Sequence, residues 1–245
     1  MTKSRLEVGA MTTAEQKVCD EAVAYAKANR RMIAKRCTDT HIYLPEEHPV
    51  SVYMAGSPGA GKTEASIELI EKLGGTVLRV DPDDLRKELP GYNGENAWLF
   101  QRAVSVLVDR TLDVAFDQSQ SFLLDGTLTN YDKAVANIDR ALKKKRRVQV
   151  LYVYQEPAQA WNFVQAREKI EGRRILPQTF IDQYFGARDV VNRLKRHFDG
   201  DIRIDLLLKN IDGTNRTFVN NVNQIDSYVP EKYDANALRR LLGLT

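Results

Sequence analysis

The chain has 245 residues, 43% of them hydrophobic and 28% charged, with a net charge of +3. That length supports one substantial core without forcing a second, and the composition excludes a disordered or fibrous chain. No run approaches the ~20 apolar residues of a membrane span, the charge is too small to name nucleic acid as a partner, and the first residues, with Lys3 and Arg5, lack the apolar region of a secretory signal; a cytoplasmic location is expected.

In chain order, Thr13 to Lys35 reads as a helix, with Thr13 as a candidate cap and Glu15, Val18, Ala22, Tyr25 and Ala26 at helical spacing. It carries no chemical motif, so residues 1–48 are expected to form a helical extension ahead of a main domain at 49–245. Cys19 and Cys37 lack metal-ligand spacing and are expected to be reduced, structural thiols. Asp39 to Pro49, with Pro45 and Pro49, reads as the connector.

Short apolar runs at Ser51–Ala55, Thr76–Val80, Ser121–Leu124, Val148–Tyr154 and Ile202–Leu208 read as strands, with helical patterns between them. Such alternation predicts an α/β fold, a mainly parallel sheet flanked by helices. The first strand runs directly into Gly56-Ser57-Pro58-Gly59-Ala60-Gly61-Lys62-Thr63, after which Ala65 to Lys72 reads as a helix. Strand, glycine-rich loop and helix in that order make a phosphate-binding P-loop and a P-loop NTPase-type fold. The glycines let the backbone wrap closely, and the helix N-terminus favours negative charge. Lys62 is expected to bridge the terminal phosphates of ATP or GTP, and Thr63 to ligate Mg²⁺.

The second strand delivers Asp81-Pro82-Asp83-Asp84 to the sheet edge where ligands bind. Transfer of a phosphoryl group to a hydroxyl needs a carboxylate that orients it or takes its proton, a role open to Asp83 or Asp81. The same order also suits a cap for a helix at Asp84–Leu89. The third strand ends in Asp125-Gly126-Thr127, in isolation no more than a turn before the helix from Tyr131. Lys143-Lys144-Lys145-Arg146-Arg147 falls where a helix should end before a strand, and reads as a solvated helix end whose cations complement the dipole. Arg167 and Arg174, seven residues apart, would share a helix face if Gly172 did not interrupt it; they read equally as phosphate-gripping arginines of a lid or as a solvated, Glu-paired helix. The tail from Pro230 ends in a short helix.

From about Pro49 to about Phe198 these stretches resemble the zeta-toxin family of bacterial P-loop kinases. The family pattern is a Gly-x-Pro-Gly-x-Gly-Lys-Thr loop, an Asp-x-Asp followed by a Pro, a Glu-Gly-Thr, and a lid with two arginines. Its counterparts are Gly56 to Thr63, Asp81-Pro82-Asp83 with Pro90, Asp125-Gly126-Thr127, and Arg167 with Arg174 ahead of Pro177. The resemblance implies that Asp83 is the catalytic base, that Lys62 and Thr63 serve the phosphates and Mg²⁺, and that Arg167 and Arg174 belong to a lid around 157–177. Of Arg173 and Arg174, the distance to Pro177 favours the latter. Asp109, on a helix predicted over Asn96–Phe116, matches a sugar-contacting Glu, so Asp81, Asp83, Asp109, Asp125 and Thr127 are the implied substrate contacts. Asp109 and Asp125 are each one methylene shorter than the Glu they replace, and Thr129 stands where some members carry Arg.

The best-known members of that family phosphorylate the 3′-hydroxyl of the sugar of UDP-N-acetylglucosamine and are restrained by an antitoxin. The expected function is accordingly a kinase acting on a UDP-amino sugar, as the toxin of a toxin–antitoxin pair. The alternatives are a small-molecule or antibiotic kinase similar to chloramphenicol phosphotransferase, a polynucleotide kinase, and a nucleotide-binding regulatory module without transfer. A regulatory module predicts a dispensable Asp83.

Overall fold

Thr12, one residue before the expected cap, starts the first helix: its hydroxyl accepts the Glu15 N–H while the Glu15 carboxylate accepts the Thr12 N–H at 2.8 Å. This reciprocal capping box satisfies two of the orphan donors at a helix start. The computed structural model describes residues 11–172, 174–209 and 216–244; Lys3, Arg5, Arg173 and Thr245 lie outside them. Helix α1 (Thr13–Cys37) buries Cys19, Ala22, Ala26, Ile33 and Ala34, all but Ile33 small enough to allow close approach to another helix.

Five strands are parallel: β1 (Val50–Ala55), β2 (Leu78–Val80), β3 (Phe122–Leu124), β4 (Arg147–Tyr154) and β5 (Arg203–Lys209). A sixth, β6 (Arg216–Val219), adds antiparallel to β5 and completes the order β2-β3-β1-β4-β5-β6. The connection from β1 leads to β2 beyond β3, whereas the connection from β3 leads across β1 to β4. The chain therefore departs to opposite sides around the C-terminal end of β1, the switch point at which open α/β sheets bind ligands.

The helices between strands are α2 (Lys62–Lys72), α3 (Pro82–Lys87), α4 (Gln101–Asp117), α5 (Tyr131–Lys143), α6 (Pro157–Glu171) and α7 (Pro177–Phe198), with α8 (Ala235–Leu241) near the C-terminus. Three starts differ from expectation. Helix α2 begins at Lys62, inside the loop motif, because Gly61 in the left-handed region turns the chain directly into it. Helix α3 begins at Pro82, where a missing N–H costs nothing, with Asp81 as its cap. A 3-10 turn over Ala97–Phe100 replaces the expected first turn of α4.

Beneath the sheet, Tyr53, Phe116 and Phe122 meet edge to face at centroid distances of 5.8 and 5.2 Å. Arg146 corrects the picture of the basic run as solvated. It is buried, donates to the Ser51 hydroxyl at 2.8 Å and the Gln120 carbonyl at 2.5 Å, and stands over the rings of Phe116 and Phe122. Burial lowers its pKa to about 10. No helix among the described residues is long and apolar enough to cross a membrane.

Candidate active site

Three glycines shape the phosphate loop by what stands against them. Gly56 has φ +134°, and a Cβ there would lie 2.3 Å from the Val153 carbonyl oxygen of β4. Gly59 has φ +72°, and its Cβ would lie 2.0 Å from the Ala160 carbonyl oxygen of α6. Gly61, at φ +75°, caps α2. The Gly56 N–H donates to the Thr127 carbonyl at 3.3 Å, so the segment after β3, together with β4 and α6, fixes the loop. Lys62 folds over it, its ammonium donating to the carbonyls of Gly56 at 3.0 Å and Ser57 at 2.7 Å.

The loop opens into a cavity of about 420 Å³, within the range typical of small-molecule sites, about 300–1,000 Å³. Its lining gathers Pro58 to Thr63, Asp81, Asp83, Asp125, Thr127 and Arg167. Asp81 does two things at once: one carboxylate oxygen accepts the Asp83 N–H at 2.7 Å, and the other accepts Arg79 Nη2 at 2.5 Å. The same nitrogen reaches Asp125 at 2.6 Å, and Arg79 Nε donates to the Ser66 hydroxyl at 3.1 Å. Burial pushes the Asp81 carboxyl up, aided by the nearby carboxylates of Asp83 and Asp125, while Arg79 opposes the shift. The capping and chemical readings of the Asp81–Asp84 run thus share one segment: Asp81 caps, and Asp83 faces the cavity. The Asp83 carboxylate is paired with Arg86, a buried guanidinium that also donates to Gln101 at 3.1 Å.

Helix α6 covers the loop. Phe163, Arg167 and Ile170 recur at i, i+4 and i+7, on one face of a helix, and all three line the cavity with Ile175. The helix stops at Gly172, φ +69°, so Arg167 and Arg174 lie on separate segments. Arg174 is outside the lining, 64% exposed, with Nε 3.9 Å from Glu168. Asp109 is also outside it: half exposed on α4, its carboxylate sits 2.8 Å from Lys133. Thr127 lines the cavity, its hydroxyl 3.4 Å from that of Thr129.

Arg79, Arg86, Gln101, Gln155, Lys209 and Arg216 were not read as site residues from the sequence. Arg79, Arg86 and Lys209 each carried a usable signal: Arg86 follows Asp83 at i+3, while Arg79 and Lys209 lie at or near the ligand ends of strands. Lys209 ends β5, one residue past the predicted strand, and its ammonium donates to the Gly61 carbonyl at 3.0 Å. Burial lowers its pKa. For a hard divalent cation the fitting donor is the hydroxyl of Thr63, a residue that lines the cavity beside the loop. Among the described residues no three His, Cys, Asp or Glu side chains gather as a metal site.

A family model described as Zeta toxin matches residues 33–223. The chain belongs to the Zeta toxin family. Its fold is similar to a chain of the PezAT chromosomal toxin–antitoxin system of Streptococcus pneumoniae, with TM-score 0.59 and 16% identity over 98% of this chain and 91% of that one. A chain of the AvrRxo1-ORF1:AvrRxo1-ORF2 assembly with ATP gives TM-score 0.59 and 16% identity, covering 88% and 71%. No curated protein matches by sequence. At these identities the structural likeness establishes a shared fold, a mainly parallel sheet flanked by helices.

Proposed function

We propose that this Zeta toxin family member transfers the terminal phosphoryl group of ATP or GTP to a sugar hydroxyl of a UDP-amino sugar similar to UDP-N-acetylglucosamine. The observation that carries the reading is the placement of Asp83 in the same cavity as the P-loop, held by its backbone to Asp81 and by its carboxylate to Arg86. In the proposed step the acceptor oxygen attacks the terminal phosphorus and the bond to the bridging oxygen breaks. The nucleoside diphosphate leaves with that electron pair, and the acceptor proton passes to Asp83.

Lys62 exchanges the carbonyls of Gly56 and Ser57 for phosphate oxygens, and Arg167 adds positive charge from the lid. Thr63 would hold Mg²⁺, whose chemistry is to neutralise charge on the phosphates. Thr127 and the Asp81–Asp125 floor border the acceptor, with the two carboxylates acting through Arg79. Arg174 and Asp109 lie outside the lining, paired with Glu168 and Lys133, and the proposed step does not draw on them. The structural neighbours come from two-component assemblies, which supports restraint by an antitoxin protein.

A second acceptor class is favoured by the apolar lid face, where Ile170 is 84% exposed and Phe163 41%. A small alcohol with an apolar ring would cover them. Incubation with ATP, Mg²⁺ and a panel of UDP-sugars and apolar alcohols, read by mass spectrometry, decides between them. UDP-N-acetylglucosamine should gain one phosphate, and Asp83→Asn should retain ATP binding while losing about 10²–10⁴-fold in rate. Transfer only to the alcohols overturns the sugar acceptor; ATP binding without transfer to any hydroxyl overturns the kinase.

A further inference from the structure

We infer that Arg79 is a built-in cation that fills, between Asp81 and Asp125, the place a divalent metal ion would otherwise take. The two carboxylate oxygens converge on one nitrogen, Arg79 Nη2, at 2.5 and 2.6 Å. Nε of the same guanidinium reaches the Ser66 hydroxyl at 3.1 Å, and that hydroxyl lies 2.7 Å from the Thr63 carbonyl and 3.2 Å from Asp125. Two carboxylates and a hydroxyl around a central positive charge are the ligand chemistry of a hard divalent cation. Here the segments just after β2 and β3 and the second turn of α2 supply the oxygens, and β2 itself supplies the charge.

The arrangement is largely buried. The side chains of Arg79, Asp81 and Asp125 are 19%, 12% and 4% exposed, so the guanidinium, more than solvent, balances the carboxylates. Carboxylates sharing a buried site without a cation repel and draw in a proton or a metal. Arg79 removes that demand with a charge that neither dissociates nor titrates in the physiological range. It is also a positioning residue, because Asp81 offers its other oxygen to the Asp83 N–H and so links the Arg79 contact to the first turn of α3. The functional consequence rests on the kinase reading: the floor beside Thr63 takes no metal of its own, leaving only the ion that arrives with the nucleotide.

The test uses the full chain without nucleotide or acceptor, so failure of phosphoryl transfer would leave it intact. Mn²⁺ is titrated and its free fraction read by electron paramagnetic resonance. Wild type and Arg79→Lys should bind no Mn²⁺ at the floor. Arg79→Met should gain one ion, at least ten-fold tighter than any wild-type binding, and lose it on adding Asp125→Asn. A wild-type site abolished by Asp125→Asn overturns the inference, as does a folded Arg79→Met that binds no more than wild type. If Arg79→Met is unfolded in EDTA, Mn²⁺ should restore a cooperative melt, and absence of that rescue overturns the inference equally.

Discussion

Two lysines lean on the carbonyls of one loop: Lys62 on Gly56 and Ser57, and Lys209 on Gly61. Lys209 is the harder to account for without a ligand. Its ammonium is half-buried at the N-terminus of α2, where the helix end already carries positive charge, and burial lowers its pKa. An arriving phosphate relieves both penalties. Hydrogen bonds to charged groups contribute about 1.5–3 kcal/mol, so Lys209→Met should weaken ATP binding by roughly ten-fold or more by calorimetry. Its nucleotide-free melting temperature should stay unchanged or rise. Equal ATP affinity in the two proteins would remove Lys209 from the site. The contrast with Lys62 shows what a sequence discloses at this scale. Lys62 and Thr63 lie within eight consecutive residues whose spacing is itself the chemistry, whereas Lys209 is brought to Gly61 by the register of a strand far along the chain. Asp109 shows the reverse: alignment to a family position says nothing of which way the helix turns it, and it pairs with Lys133.

Helix α6 and the loop are one mechanical unit, because Gly59 lets the Ala160 carbonyl approach to where a side chain would be. Gly59→Ala should cost about 1–2 kcal/mol for the left-handed backbone alone, plus displacement of α6 from the loop. Gly74→Ala is the control: φ is +91°, but nothing stands within 4 Å of the added Cβ. Gly59→Ala should therefore lower the melting temperature further than Gly74→Ala and weaken ATP binding, while Gly74→Ala leaves ATP binding unchanged. Identical effects would mean that the Ala160 contact is immaterial. The five parallel strands were legible because the buried strands of this fold are short runs dominated by Val, Ile, Leu and Tyr. Strand β6 was not: Arg216, Thr217 and Phe218 are exposed at the sheet edge, so neither alternation nor an apolar run marks them. The break between α6 and α7 was legible for a local reason, Gly172 in the left-handed region and Pro177 five residues on.

Across the whole molecule, the question is whether α1 belongs to the folded body. The Zeta toxin match begins at residue 33, so most of α1 precedes it, and no chemical motif marks that helix in the sequence. Yet Ala22, Ala26 and Ile33 join the same buried cluster as Leu99, Phe100, Ala103, Val104 and Leu107. At its far end Arg36 pairs with Glu88 at 2.5 Å, just after α3, and Gln120 donates to the carbonyls of Thr38 and Tyr43. Burying Ile33 alone is worth roughly 1.5–3 kcal/mol, and natural domains retain only about 5–15 kcal/mol in total. Deleting residues 1–35 removes that side chain, its alanine neighbours and one cover of α4 together, leaving an apolar helix face in water. The truncated protein should therefore lose its cooperative melt and bind a hydrophobic dye, and it should not be released into a more active state. A soluble truncation that melts cooperatively and transfers phosphate at or above the full-length rate would show instead that α1 is a detachable restraint.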